Sequence, residues 1–404
     1  MRYGVPYQGS KNKICKWVID NLPSGNVLVD LFAGGCSVTH AAMLSGKWDY
    51  FIANDIGDAP EVFINTIEGK YAAENRWISR EDFERLKDTD PYVSLCWSFG
   101  NDRSNYLYAQ EVEPWKKALH YARIFGDTSL LREMGIDSDG STADIRKHHD
   151  EYKDKYIRWW LSRQKYTPAE LDELMANVKA DIERDKEELR QYLIDALKKS
   201  GLTQAEVQRR LGTQMAGHYF GRSQWEFPTQ EMYEKMQEFM PLKTDYNEIV
   251  GLYMLRQSLQ RLQSLQSLQR LQSLQRLQSL QSLQSLQRLE NYKNLIVTQK
   301  YYTELVIPDG AIVYADPPYK GTDIKCYLCQ FDYEQFERWL GAVPFMVIVS
   351  EYTAPAGCVE IASIKKQCSR SSTNTGGTTT EKLFVQERFL KQYNEMREQQ
   401  RIEI

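Results

Sequence analysis

Short apolar runs rich in β-branched and aromatic residues alternate along this chain with segments in which apolar residues recur every three or four positions. The first pattern predicts buried strands, and the second predicts amphipathic helices. Strands are predicted at the start of the stretch 27–38 and at residues 50–55, 295–299, 311–315 and 345–352. Because strands and helices alternate, we expect an α/β fold with a largely parallel sheet.

A long helical stretch interrupts this alternation. From about residue 140 to about residue 200 the sequence is charged, and apolar positions such as Leu174, Val178 and Ile182 follow a helical period. This pattern predicts an inserted domain of solvated helices. The predicted organisation is residues 1–90 as the first half of the sheet domain, 91–250 as the inserted region, 258–290 as a repeat, and 291–404 as the second half of the sheet domain.

Two of the predicted strands end in residues suited to ligand binding. The strand Val27–Asp30 runs into Leu-Phe-Ala-Gly-Gly, and the next strand ends on Asp55. Glycines allow a ligand to approach the backbone, and a carboxylate at this spacing holds a ribose hydroxyl in doubly wound folds. The full GxGxxG pattern is missing, which argues against a dinucleotide fold. A βαβ unit of an unrelated α/β enzyme is the alternative.

The strand at 311–315 is followed by Asp316-Pro317-Pro318-Tyr319. Two prolines stiffen the chain and remove two N–H donors, so the carbonyls are left to accept hydrogen bonds from another group. A carboxylate, a carbonyl and an aromatic face suit a flat base that carries an exocyclic amine. The alternative is an ordinary rigid turn.

The end of the inserted region contains two short helical segments. Thr203 and Glu206 have the spacing of a capping box, Gly212 supplies a turn, and a second helix is predicted to begin at Thr213 or Gln214.

The segment 200–225 resembles the helix-turn-helix of phage-repressor-type DNA-binding domains, which places the start of its second helix against base edges in the major groove. An αα-hairpin that only packs is the alternative. The side chains that this resemblance places at the DNA are Gln214, Met215, His218, Tyr219, Arg222 and Gln224.

Residues 91–110 are unusually aromatic and end in polar residues, a mixture suited to base stacking and phosphate contact. We expect Trp97 and Phe99 to pack in the core. Asn101, Arg103 and Tyr106 are expected near the DNA or the target base.

The order of these motifs resembles that of the Dam-like, phage-type adenine-N6 DNA methyltransferases. This resemblance implies a Rossmann-like methyltransferase sheet with an inserted, mainly helical DNA-recognition domain. It implies S-adenosylmethionine as the cofactor, no metal, and methyl transfer to an adenine flipped out of duplex DNA. It assigns catalysis to Asp316, Pro317 and Tyr319. The residues that it assigns to the cofactor are Tyr7, Lys11, Asp30, Phe32, Gly34, Asp55 and Asp316.

Composition adds little to this interpretation. The net charge is −4, from 51 basic and 55 acidic residues, so any basic DNA surface must be local. The sequence has no run of 18 apolar residues, and its start does not read as a signal peptide, so we expect the cytoplasm of a bacterial or phage-infected cell. Seven cysteines fit a reducing compartment, and the pair Cys326 and Cys329 is interpreted as incidental.

Residues 258–290 repeat a Ser/Arg-Leu-Gln triplet. On a helix, leucines three residues apart drift by about 60° per step, so they form no lasting apolar stripe and no heptad coiled coil. We interpret the repeat as a spacer or a self-association segment. Phosphate contact through its arginines is the alternative.

Two other functions fit parts of the sequence. One is a DNA-binding regulator with an inactive methyltransferase core, and the other is methylation of RNA or of a protein amide. The helix-turn-helix resemblance favours duplex DNA, because a helix fits the wide major groove of B-form DNA. Asn374, in the polar loop 371–380, is a further candidate for DNA contact.

Overall fold

A computed structural model describes residues 3–7, 9–71, 73–163, 168–263, 292–320, 331–367 and 378–402. The chain divides into two compact units. The sheet unit comprises the described residues of Met1–Tyr108 and Ser273–Ile404, and the helical unit comprises those of Ala109–Gln272. The predicted insertion began at residue 91, whereas residues 91–108 lie in the sheet unit, because their aromatic side chains pack with the residues just before them.

Helices occur in both units, and no helix in the described ranges is long and apolar enough to cross a membrane. The described helices are α1 (Cys15–Asn21), α2 (Ser37–Met43), α3 (Ala59–Ile67), α4 (Arg80–Leu86), α5 (Pro91–Cys96), α6 (Glu113–Ile124), α7 (Ser129–Glu133), α8 (Thr142–Lys147), α9 (His149–Ser162), α10 (Pro168–Ala176), α11 (Val178–Ser200), α12 (Gln204–Leu211), α13 (Ala216–Phe220), α14 (Gln230–Gln237), α15 (Tyr246–Gln263), α16 (Tyr333–Ala342) and α17 (Leu390–Ile402).

The described strands form one sheet in the order β3-β2-β1-β4-β5-β7-β6. Strands β1 to β5 run parallel to one another, and β7 runs antiparallel to both β5 and β6. The prediction of a largely parallel sheet is confirmed. The strands are β1 (Val27–Asp30), β2 (Tyr50–Asp55), β3 (Leu295–Gln299), β4 (Ile312–Ala315), β5 (Val347–Glu351), β6 (Cys358–Gln367) and β7 (Thr378–Gln386).

The central strands β1, β4 and β5 are covered on both faces of the sheet. Leu28 and Tyr314 belong to the core on one face, and Val29 and Val313 belong to the core on the other. Side chains of a strand alternate between faces, so a strand covered on both sides must be apolar at successive positions. This requirement explains why the parallel strands were visible as short apolar runs.

The strand order reverses between β1 and β4. Parallel strands have their carboxyl ends at one edge of a sheet, and in open α/β sheets the ligand site lies outside that edge where the order reverses. Asp30 ends β1, Asp55 ends β2, and Asp316 follows β4 directly. The fold therefore brings these three carboxylates, which are far apart in the sequence, to the same edge.

The helical unit is built around the predicted long helices. Val178, Ile182 and Leu193 on α11 are buried, as their helical period predicted. A buried ion pair joins α11 to α15, because Arg256 Nη1 lies 2.6 Å from Asp185 Oδ1. Arg256 Nη2 also lies 3.5 Å from Asp181 Oδ2.

The predicted capping box is confirmed. Thr203 Oγ1 accepts a hydrogen bond from Glu206 N at 3.3 Å, and Glu206 Oε2 accepts one from Thr203 N at 2.7 Å. Gly212 follows α12 with φ 65°, as a turn glycine should.

The predicted start of the second helix is wrong. Helix α13 begins at Ala216, because the Thr213 hydroxyl accepts a hydrogen bond from Met215 N at 3.3 Å and holds the intervening residues in a turn.

Several predictions fall outside the described residues. Residues 258–263 of the leucine repeat continue α15, with Leu259 and Leu262 buried, and the remainder of the repeat lies outside the described ranges. Cys326, Cys329 and Asn374 also lie outside them.

We predict that Arg256→Met lowers the free energy of unfolding by about 3 kcal/mol or more, because it leaves the buried carboxylate of Asp185 on α11 without its cation. Urea unfolding followed by circular dichroism measures this loss. Arg184→Met, on α11, is the matched control, since the Arg184 side chain also pairs with Asp181 but is 56% exposed. The control should cost less than about 1 kcal/mol, and equal losses in both variants would contradict the prediction.

Candidate active site

The N-terminal loop is fastened over the glycine turn that follows β1. Val5 N donates to Gly35 O at 2.8 Å, and Gly4 N donates to His40 Nδ1 on α2 at 2.9 Å. A Cβ at Gly35 would lie 2.6 Å from Val5 O, and one at Gly34 would lie 2.7 Å from Cε1 of Tyr7. The glycines are therefore needed to admit the protein's own loop, a role that the sequence did not indicate.

Asp30 and Asp55 shape the backbone around this turn. Asp30 Oδ2 accepts from Thr39 Oγ1 at 2.7 Å, and Asp55 accepts from Gly34 N and Gly57 N at 2.8 Å each. Burial raises the pKa of Asp30 to about 7, and burial also raises the pKa of Asp55. Hydrogen bonds from their neighbours partly oppose both shifts.

Phe32 stands at the same turn and is partly buried. Its ring lies 5.4 Å from that of Tyr302 and 5.8 Å from those of Phe331 and Phe336. Phe32 thus belongs to an aromatic cluster beside the carboxyl end of β1.

An ion pair connects the N-terminal loop to the turn after β4. Lys11 Nζ lies 2.7 Å from Asp316 Oδ1 and 3.7 Å from Glu381 Oε1. Burial alone would lower the pKa of Lys11, but the charges of Asp316 and Glu381 outweigh it and raise that pKa. The buried side chain is therefore an ammonium group in contact with the motif carboxylate.

Tyr319 is enclosed by side chains. Lys11 Nζ lies 4.5 Å from its ring centroid, and the Tyr352 ring meets it edge-on with centroids 4.5 Å apart. The Tyr319 hydroxyl donates to Glu381 and lies 3.1 Å from Ser350 Oγ. These contacts fix both the ring and the hydroxyl.

The exit of the motif turn is also anchored. Tyr333 on α16 donates its hydroxyl to Tyr319 O at 2.6 Å, and Lys320 N donates to Glu351 Oε2 at 3.2 Å. Pro317 is buried within the turn. The turn is therefore held from α16 and from the end of β5 as well as from the N-terminal loop.

The sequence did not identify Ser350, Glu351 or Glu381 as site residues. Ser350 and Glu351 end the predicted strand at 345–352, and Glu381 opens the apolar run Leu383–Val385. A polar residue at the end of a buried strand was the signal available for the first two. Identifying Glu381 as a site residue would have required knowledge of the strand order.

The predictions for the aromatic segment are partly wrong. Trp97 is buried as expected, but Phe99 is 60% exposed. Tyr106 is 5% exposed, and its hydroxyl donates to Ile78 O at 2.7 Å, so it is a core residue. Asn101 donates to Leu95 O at 2.8 Å, and Arg103 pairs with Asp58.

The predicted DNA-reading residues differ in exposure. Gln214, Arg222 and Gln224 are exposed. Met215 and His218 are partly buried. Tyr219 is buried in the core of the helical unit, so the prediction that it faces base edges is wrong: the ring fills space between α11, α12 and α14.

Within the described ranges, no three His, Cys, Asp or Glu side chains are arranged to hold a metal ion.

Residues 7–124 match the sequence model of the D12 class N6 adenine-specific DNA methyltransferase family. The match includes the N-terminal loop from Tyr7, β1, the glycine turn and β2, and it ends before β3 and the Asp-Pro-Pro-Tyr turn. It supports the resemblance to Dam-like adenine methyltransferases, and the mostly parallel sheet fits a methyltransferase fold. A comparison with curated proteins finds no match.

His40 makes the attachment of the N-terminal loop dependent on pH. Burial lowers the pKa of His40 to about 4. The neutral ring accepts the hydrogen bond from Gly4 N, which a protonated ring could not do. As pH falls below about 6.5 the unfolded chain binds a proton that the folded chain does not, so we predict a loss of stability that reaches about 3 kcal/mol near pH 4.

Urea unfolding of wild type and His40→Asn at about pH 7.5 and about pH 5 measures this effect. Asparagine keeps an acceptor for Gly4 N and cannot titrate, so the wild type should lose more stability on acidification than the variant. Other buried groups titrate in both the wild type and His40→Asn, so their contribution to the stability change cancels when the two proteins are compared. His218→Asn is the control, and an equal loss in wild type and His40→Asn would refute the prediction.

Proposed function

We propose that the chain is a site-specific DNA adenine-N6 methyltransferase that uses S-adenosylmethionine and acts on a flipped adenine in duplex DNA. One observation carries this proposal: Asp316 and its turn lie at the switch point of the sheet, which is the place where the strand order reverses between β1 and β4. Lys11 from the N-terminal loop holds Asp316 there through an ion pair. The family match to residues 7–124 supplies the reaction class.

The residues around the switch point fit the proposed cofactor. S-adenosylmethionine, when bound, supplies an electrophilic methyl group and carries hydroxyl, ammonium and carboxylate groups. Asp55 at the end of β2 suits the ribose hydroxyls, and Phe32 offers a partly exposed aromatic surface beside β1. Tyr7, Lys11, Asp30 and Gly34 complete the proposed binding residues.

Asp316 and the Pro317 carbonyl would act on the amine that receives the methyl group. The lone pair of an adenine amine is delocalised into the ring, which makes it a poor nucleophile. Hydrogen bonds from N6–H to Asp316 and to the Pro317 carbonyl favour tetrahedral geometry at nitrogen and localise that lone pair. Asp316 can do this as an anion because Lys11 offsets its charge at 2.7 Å.

The adenine must leave the duplex stack before it can reach Asp316. We propose that it stacks on Tyr319, as the resemblance implies. The Tyr319 ring is 7% exposed, with Lys11 against it, so stacking requires side chains around the ring to move when the base enters.

For target recognition we propose the helix-turn-helix of α12 and α13. Gln214 precedes α13 and is exposed, and a glutamine can pair with both the N6 and N7 atoms of adenine. Arg222 is 82% exposed and suits a backbone phosphate. Arg103 and His218 remain proposed DNA contacts, as does self-association through the leucine repeat.

We predict that Asp316→Ala abolishes N6-methyladenine in cells that express the protein, because it removes the acceptor for N6–H. Modified-base sequencing of genomic DNA should find methylation in one short motif with wild type and none with the variant. Asp309→Ala is the matched control, since Asp309 is an exposed carboxylate in the turn before β4. If wild type leaves DNA unmethylated while the purified protein still binds duplex DNA, the protein is a DNA-binding regulator instead.

Substitutions in the helix-turn-helix should separate sequence reading from affinity. Gln214→Ala is predicted to allow methylation of sites that differ from the motif at one position. The reason is that about 1–3 kcal/mol of discrimination between the bases at that position is lost. Arg222→Ala should weaken binding to all duplexes. It should also reduce the slope of log affinity against log salt concentration by the amount expected for about one phosphate contact. Binding isotherms over a salt series and motif sequencing measure both effects, and an unchanged motif and affinity in both variants would remove α13 from the DNA interface.

A further inference from the structure

A second carboxylate lies beneath the Asp-Pro-Pro-Tyr turn. Glu381 belongs to β7 and is fully buried, with 0% of its surface exposed. Strand β7 runs antiparallel to β5, with Glu351 opposite Lys382, so the first half of β7 lies at the edge where the parallel strands have their carboxyl ends. The reversed strand direction places Glu381 at the proposed catalytic site.

One oxygen of Glu381 connects the side chains of the turn. Glu381 Oε1 accepts from the Tyr319 hydroxyl and from Ser350 Oγ, the latter at 2.9 Å. The same oxygen lies 3.7 Å from Lys11 Nζ, which in turn contacts Asp316 at 2.7 Å. Tyr319 is thus held directly by Glu381, and Asp316 is held through Lys11.

We propose that Glu381 is a positioning residue for methyl transfer, which fixes the Tyr319 ring and the Lys11–Asp316 pair in the arrangement that the reaction requires. This inference rests on the proposed function. Glu381 is covered by Tyr319 and Lys11, so it acts through them and has no contact with the base in this role. Positional errors of about 1 Å at a reacting centre cost about 100-fold in rate, which is why such support has a kinetic effect.

The charged and titratable groups around Glu381 come from several elements. Lys11 belongs to the N-terminal loop, and Asp316 and Tyr319 belong to the turn. Glu351, at the end of β5, interacts with Lys11 and Asp316. Tyr314, on β4, interacts with Lys11 and Asp316.

Burial raises the pKa of Glu381 to about 7, with Lys11 opposing the shift and Asp316 adding to it. Protonation below that pH removes the negative charge from the oxygen that Lys11 and Tyr319 share. Turnover of the wild type should therefore fall as pH drops through about 7.

The test compares Glu381→Gln with wild type in methylation of unmethylated duplex DNA by radiolabelled S-adenosylmethionine. We expect kcat to fall about 10- to 100-fold, and KM for DNA to stay within about threefold. The decline of wild-type kcat below about pH 7 should become shallower in the variant, because Glu381 no longer titrates there whereas Asp30 still does. A packing defect alone would not remove a titration from the pH profile.

Glu360→Gln is the matched control. Glu360 lies on the exposed side of the same hairpin and pairs with Lys382 at 2.8 Å, so its loss should leave kcat and its pH profile unchanged.

Tyr319→Phe supplies a second variant, since it removes the hydroxyl that donates to Glu381 and keeps the ring. In the double variant, Tyr319→Phe and Glu381→Gln together should lower kcat by less than the product of their separate fold-changes. If Glu381→Gln does not fold, Tyr319→Phe decides alone, and an unchanged kcat overturns the proposal. Wild-type kcat and pH profile in folded Glu381→Gln also overturn it, whereas a wild type without any methylation refutes the proposed function itself.

Discussion

The ion pair between Lys11 and Asp316 joins two parts of the chain that are 305 residues apart. Both side chains lie in a largely buried site, where a charge that loses its partner is costly. The N-terminal loop and the turn after β4 therefore depend on each other. Three further attachments hold the loop: Val5 to Gly35, Gly4 to His40, and the Tyr7 ring against the glycines. The proposed cofactor and base sites consequently form only when both ends of the sheet unit have assembled.

Strand direction decides which residues reach that ion pair. The parallel strands β1, β2, β4 and β5 each deliver a carboxylate at or just after their final residue. Strand β7 is antiparallel and contributes a residue from its first half instead. Bringing several carboxylates together in a buried place disfavours their ionised forms, and the raised pKa values of Asp30 and Glu381 reflect this. Lys11 offsets part of that cost and keeps an anion at Asp316.

How much could be predicted from the sequence follows from this arrangement. Strands buried on both faces must be apolar throughout, so β1, β4 and β5 were visible, and the Thr203 capping box is a local signal that needs no tertiary context. Tertiary packing decided the rest. Phe99 and Tyr106 have similar apolar area, and only the packing around Ile78 and Phe83 determines that Tyr106 is the buried one. Glu381 is separated from its partners by many residues, and a single sequence does not reveal that β7 lies beside β5.

An enzyme that acts on DNA faces an electrostatic conflict when its site is built from carboxylates, because the phosphates of its substrate are anionic. Burial resolves the conflict in two ways. It keeps Asp30 and Glu381 out of contact with solvent, so their charges lie away from any phosphate at the surface. It also strengthens the attraction between Lys11 and Asp316 by lowering the local dielectric. In the proposed function the flipped adenine is neutral, and it enters this site while its phosphates stay outside. The placement of one lysine inside the site would then let an acidic cluster serve the proposed polyanionic substrate.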